Sequence, residues 1–121
     1  MKKILIVDDE EEIFLLLRRI VENKFGYEAV WADNGLKAIK ALEKTRFDAV
    51  ILDVNMPVLD GIEALKIIRR SNEFSELPVL MCSSESDKQK IIEIISLKIM
   101  DYILKPIAFE EAINKIGKLF K

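Results

Sequence analysis

Apolar residues fall along this chain in five short blocks: Lys3 to Val7, Tyr27 to Ala32, Ala49 to Leu52, Val79 to Cys82 and Tyr102 to Leu104. Between the blocks the period changes. Ile13, Leu17, Ile20 and Val21 keep helical spacing, as do Leu36, Ile39, Ala41 and Leu42, then Ile62, Leu65, Ile68 and Arg69. Lys88 to Leu97 and Phe109 to Phe120 predict two further helices. Turn formers fall where this parse needs them, at Gly26, Asn34-Gly35, Asp60-Gly61 and Leu77-Pro78, and Asp60 is placed to cap the helix that follows it. The pattern is strand then helix, five times over, or (βα)5. Its first, third and fourth strands are apolar throughout rather than alternating, as strands covered on both faces must be. We therefore expect an α/β fold, an open, doubly wound parallel sheet in a single domain over residues 1–121.

Ligands of such sheets bind beyond the carboxyl ends of the strands, at the switch point in strand order. At those ends stand Asp8 and Asp9 after the first strand, Asp53 after the third, Ser83 and Ser84 after the fourth, and Lys105 after the fifth. Each has an ordinary reading alone. Asp53 could cap a helix, Ser83-Ser84 could form a loop, Lys105-Pro106 a turn, and Glu10 to Glu12 simply favour a helix N-terminus. Convergence on one rim changes the chemistry. Carboxylates this close repel unless a cation joins them, and a hard oxygen site with room for waters suits Mg²⁺. Asp53 is then a candidate nucleophile toward phosphorus, with Mg²⁺ and Lys105 neutralising the transferring oxygens and Ser83 donating a hydrogen bond to one of them.

Composition narrows the function. The formal net charge is −2, so no basic field invites direct contact with nucleic acid. No apolar run approaches the roughly 20 residues that span a bilayer, which predicts no membrane association and a cytoplasmic protein. Histidine is absent, which removes His-based catalysis, His metal ligation and a phosphohistidine on this chain. The lone cysteine, Cys82, lies inside an apolar block and reads as a buried structural thiol.

Asp8-Asp9, Asp53 followed by Met56-Pro57 and Asp60-Gly61, Ser83, and Lys105-Pro106, in this order, resemble the receiver domain of two-component response regulators, of the chemotaxis-regulator type. The resemblance covers the whole chain. It implies a flavodoxin-like fold with strand order 2-1-3-4-5. It also implies that Asp53 takes a phosphoryl group from a sensor histidine kinase, a histidine phosphotransfer protein or a small acyl phosphate, with self-catalysed phosphorylation and dephosphorylation as the only enzymatic activity. Mg²⁺ would be held by Asp9, Asp53 and the Asn55 carbonyl, with Asp8 acting through water. Ser83, Ser84 and Lys105 would surround the phosphate, and Ser83 and Tyr102 would form the switch. Asn55 and Glu85 stand at the positions that tune phosphate lifetime and resemble those of short-lived signals. Two positions depart from the pattern: Lys98-Ile99 replaces the usual Gly-Ala pair, and Ser84 replaces a small apolar residue.

Output from such a receiver passes through the face of the fourth helix, fifth strand and fifth helix to a downstream protein. There Ile91, Ile94 and Ile95 would pack on the sheet with the stem of Lys98, leaving Ile92 and Ile99 surplus to that stripe: either they tuck under the third or fifth helix and widen the core, or they form an apolar ridge for a partner or a phosphorylation-dependent homodimer. Ile13 to Leu17 is apolar at five successive positions: either the helix is wedged between the sheet and a neighbouring helix and buries a wider arc, or Phe14, Leu15 or Leu16 is left near the surface, on the helix that the resemblance implies docks the histidine-bearing partner. Alternatives are a receiver excised from a longer regulator with a DNA-binding or enzymatic output domain, an aspartate-dependent phosphatase, or a flavodoxin-like electron carrier. Such phosphatases carry a second Asp where this chain has Asn55, and no flavin loop follows the first strand.

Overall fold

A computed structural model describes residues 1–120. Five parallel strands, β1 (Lys3–Val7), β2 (Glu28–Ala32), β3 (Ala49–Leu52), β4 (Val79–Ser83) and β5 (Asp101–Leu104), form one sheet in the order β2-β1-β3-β4-β5. Between and after them run α1 (Glu11–Arg19), α2 (Gly35–Lys44), α3 (Gly61–Arg70), α4 (Lys88–Ser96) and α5 (Phe109–Gly117). A π-helical turn, Ile20–Lys24, prolongs α1. No helix among the described residues is long and apolar enough to cross a membrane.

The side-chain alternation of each strand divides the core in two. Leu5, Val7, Val50, Leu52, Val79 and Met81 face α2, α3 and α4, while Ile4, Ile6, Ala49, Ile51, Leu80, Cys82 and Ile103 face α1 and α5. β1, β3 and β4 are buried on both faces, which is why their sequences are apolar without a break. Burial also pushes the Cys82 thiol up to about 12, so it stays protonated and inert at neutral pH.

The predicted strands and helices are all present, with ends that coincide or are displaced by up to three residues. β2 starts at Glu28 because the Tyr27 N–H closes the preceding helix on Val21 O, while its ring packs on Phe25 and Phe120. α4 ends at Ser96, two residues before Lys98 takes a left-handed backbone conformation at φ 62°. Asp60 caps α3 as expected, its side chain accepting from the Glu63 N–H at 2.9 Å.

The packing stripe of α4 differs from its sequence reading. Ile94 is fully buried and Ile91 and Leu97 are half-buried, so the stripe runs i, i+3, i+6; Ile95 is 61% exposed. Ile99 turns in against the core. The outward ridge is therefore Ile92 and Ile95, not Ile92 and Ile99. A stripe this narrow leaves α4 weakly packed, and polar ties supplement it. The Arg69 guanidinium, at the end of α3, donates to Leu97 O (2.7 Å), Lys98 O (3.0 Å), Ser75 O (3.0 Å) and Leu77 O (2.7 Å). It joins the C-terminal end of α4 to the loop that enters β4, as a cation should where helix carbonyls lack partners.

On α1, Phe14 is buried, Leu16 half-buried and Leu15 exposed, so one of the three candidate surface residues stands out to solvent.

Candidate functional site

Strand register assembles the site. Val7 pairs with Leu52 and Ser83 with Leu104, so Asp8 and Asp53 leave neighbouring strands side by side and Lys105 follows directly beyond Ser83. The Asp53 N–H donates to Val7 O at 2.9 Å and the Lys105 N–H to Ser83 O at 3.0 Å, which extends both pairings past the strands. Asp8, Asp53 and Ser83 are all buried although polar.

Lys105 gathers the charges. Its ammonium lies 2.8 Å from Asp8 Oδ2, 3.2 Å from Asp53 Oδ2 and 3.1 Å from Glu10 Oε1. Burial works to lower the lysine's pKa, but hydrogen bonding to Asp8 and the charge of Asp53 outweigh it, so the ammonium is held above its ordinary value. Burial raises Asp8 above the usual carboxylate range against the pull of Lys105. The remaining oxygens are oriented by the backbone: Asp53 Oδ1 accepts from the Val54 N–H at 2.7 Å, and Asp8 Oδ1 from the Glu10 N–H at 2.9 Å.

Carboxylate oxygens of Asp8, Asp9, Glu10 and Asp53 come within 4.8 Å of one another. An all-oxygen, partly exposed donor set of this size fits a hard divalent cation such as Mg²⁺ and offers nothing to a soft one. Sequence reasoning assigned Glu10 only to the start of α1. Here it lies before the helix, beside Lys105, and no local signal separates it from Glu11 and Glu12, which point away into solvent. Asn55 is exposed on the loop after β3.

Across the pocket, the buried Ser83 hydroxyl accepts from the Glu85 N–H at 3.2 Å. The half-buried Tyr102 phenol adjoins Ser83 and donates to Glu85 O at 3.3 Å, so the two candidate switch residues touch. Ser84 is exposed. The Glu85 carboxylate accepts from the N–H groups of Asp87 (3.0 Å) and Ser86 (3.1 Å) and meets Lys90 at 3.4 Å. Hydrogen bonding from Asp87, ahead of Lys90, holds it below the usual range.

Past Asp53 the chain turns sharply into α3. Val58 sits there at φ 71°, a conformation that a β-branched residue adopts at a cost of about 1–3 kcal/mol. Gly61 then packs directly on the Asp53 main chain and donates its N–H to Val54 O at 2.8 Å.

A five-stranded sheet in this order, with four carboxylates, a hydroxyl and a lysine at one rim, defines a receiver domain. The family model described as "Response regulator receiver domain" matches residues 4–117, and the chain belongs to that family. It is similar to Chemotaxis protein CheY-3 of Vibrio cholerae serotype O1, at 42% identity over 98% of this chain and 92% of the relative. Chemotaxis protein CheY of Pseudomonas aeruginosa is 36% identical over 98% of this chain and 96% of its own length. Among solved structures, the chemotaxis response regulator CheY4 of V. cholerae superposes with a TM-score of 0.89 at 31% identity, covering 99% of both chains. The chain is thus a chemotaxis-regulator-like receiver, a signalling domain of two-component systems.

Proposed function

We propose that Asp53 is the phosphoryl acceptor and that residues 1–121 act as one receiver unit in the cytoplasm, charged by a sensor histidine kinase or a histidine phosphotransfer protein. The observation that carries this reading is the convergence of Asp53 Oδ2 and Asp8 Oδ2 on the Lys105 ammonium, at 3.2 and 2.8 Å. Asp53 presents one oxygen to incoming phosphorus while the Val54 N–H holds the other. Lys105 sits where charge accumulates on the transferred group, and Ser83, with the exposed Ser84 beside it, offers hydroxyl hydrogen bonds to its oxygens. Asp9 and Asp53, with the Asn55 carbonyl and with Asp8 acting through water, would hold Mg²⁺, which would supply charge neutralisation at those oxygens. Glu10 belongs with this set. Turnover of the aspartyl-phosphate is self-catalysed, with Asn55 and Glu85 setting its lifetime.

Mass spectrometry after incubation with acetyl phosphate and Mg²⁺ tests the reading: one phosphoryl group, dependent on Mg²⁺ and labile to hydroxylamine. A second expectation concerns the metal. Asp9→Ala weakens Mg²⁺ binding and phosphorylation together, yet leaves the metal-free melting temperature unchanged or higher, because a like charge leaves the acidic cluster. A large loss of stability without Mg²⁺ contradicts that account.

Signal output runs through Ser83 and Tyr102 to α4 and β5. The charge added by phosphorylation is about −1.5 to −2, and a near-complete switch requires it to favour the active form by about 5.5 kcal/mol. On that face Ile92 (60%), Ile95 (61%), Met100 (50%) and Leu104 (57%) expose apolar surface suited to a downstream protein or a second receiver. Ile92→Glu is expected to leave folding and Asp53 phosphorylation unchanged while abolishing that association. Sedimentation of wild type and mutant, with and without a stable phosphate mimic, reads it: identical monomeric profiles remove the homodimer, and an unfolded mutant removes the ridge.

A further inference from the structure

Trp31, the one tryptophan of the chain, is unused by the reading above. It lies near the end of the edge strand β2, paired in register with Ile6, and is 36% exposed. Its ring stacks on Phe14 of α1, with centroids 4.9 Å apart and planes 7° from parallel. From there the indole N–H reaches past the strand end and donates to the main-chain carbonyl of Asp8 at 2.8 Å. The Asp8 N–H donates in turn to Ala32 O at 3.1 Å. The turn that carries Asp8 and Asp9 is therefore moored twice to β2, and both moorings use peptide groups. Neither occupies a carboxylate oxygen. The backbone that presents the acids is thus fixed without drawing on their carboxylates.

We infer that Trp31 is a positioning residue for the acidic pocket: the indole N–H to Asp8 O bond, braced by the stack on Phe14, preorganises the Asp8–Asp9 turn for Mg²⁺. The inference rests on the reading of that pocket as a Mg²⁺ site. The physical reason is that a divalent cation of small radius demands near-ideal oxygen placement. Asp9 is exposed and hangs from the very peptide that Trp31 holds, so without the mooring the turn must be ordered at the moment of binding, and affinity falls. An indole N–H that merely satisfies its own hydrogen-bonding need would contribute to stability alone.

Isothermal titration of the metal-free protein with MgCl₂, at fixed pH and ionic strength, separates these roles. Two variants are compared with the wild type: Trp31→Phe, and the protein carrying benzothienylalanine at position 31, which keeps the size and stacking of the ring but replaces N–H with sulfur. Both are expected to bind Mg²⁺ about three- to tenfold more weakly, the effect of one neutral hydrogen bond. The isosteric protein keeps the wild-type melting temperature within a few degrees and remains informative if the Phe variant folds poorly. Wild-type binding with unchanged affinity in the isosteric protein overturns the role of Trp31 and leaves the metal site standing. Absence of Mg²⁺ binding by the wild type overturns the metal site itself, and the role of Trp31 with it.

Discussion

Asp53→Asn is expected to take up no phosphoryl group from acetyl phosphate and Mg²⁺, with its fold intact. Asparagine keeps an oxygen to accept from the Val54 N–H, so the local geometry that Asp53 Oδ1 now satisfies is retained. What it loses is the nucleophilic carboxylate oxygen facing Lys105 at 3.2 Å. Lys105 still has Asp8 and Glu10 as partners, and the Asp53 charge that adds to the effect of burial in raising Asp8 disappears. Intact-mass measurement beside a circular dichroism melt checks both halves of the expectation. Labelling at the wild-type level would place the acceptor elsewhere.

The largest effect on stability is expected from Gly61→Ala. A Cβ at position 61 would collide with the carbonyl oxygen of Asp53 and come within 2.8 Å of both the Asp53 carbonyl carbon and Val54 Cα. These are backbone atoms at the end of a fully buried strand, so no side chain can swing aside. A loss of about 3 kcal/mol or more follows, at the upper end for small-to-large changes, visible as a lower urea midpoint at unchanged slope. Gly26→Ala is the contrast. It carries the strain of a positive φ but meets nothing within 4 Å, so its cost is about 1–2 kcal/mol. Because the displaced atom belongs to Asp53, Gly61→Ala also slows phosphorylation, which Gly26→Ala does not.

The sheet and the rim were legible in the sequence because each rests on a dense local signal. Unbroken apolar strands announced a doubly covered sheet, and β3 (Ala49–Leu52) matches its apolar block residue for residue. Asp8, Asp53 and Lys105 follow strand ends and Ser83 closes one, where register brings them together. Three features were less legible. Glu10 looks like its neighbours Glu11 and Glu12, and only the direction of the chain before α1 sends its carboxylate to Lys105. Left-handed conformations at Val58 and Lys98 carry no glycine to mark them. On α4, helical spacing put Ile95 in the stripe, whereas in the fold Leu97 packs on the core and Ile95 is exposed, a choice that depends on what α4 packs upon and not on its own period.

The grip of Arg69 on Leu97 O and Lys98 O makes α4 a lever bolted at one end. Its nine residues give an arm of about 13.5 Å, so a swing of roughly 10° about the bolted end carries the other end through about 2 Å. The free end is the one next to Glu85, whose carbonyl accepts from Tyr102 and whose N–H donates to Ser83. A small shift of the Ser83 hydroxyl thus acts at the tip of the arm, where least force is needed, while the Arg69 end serves as the fulcrum.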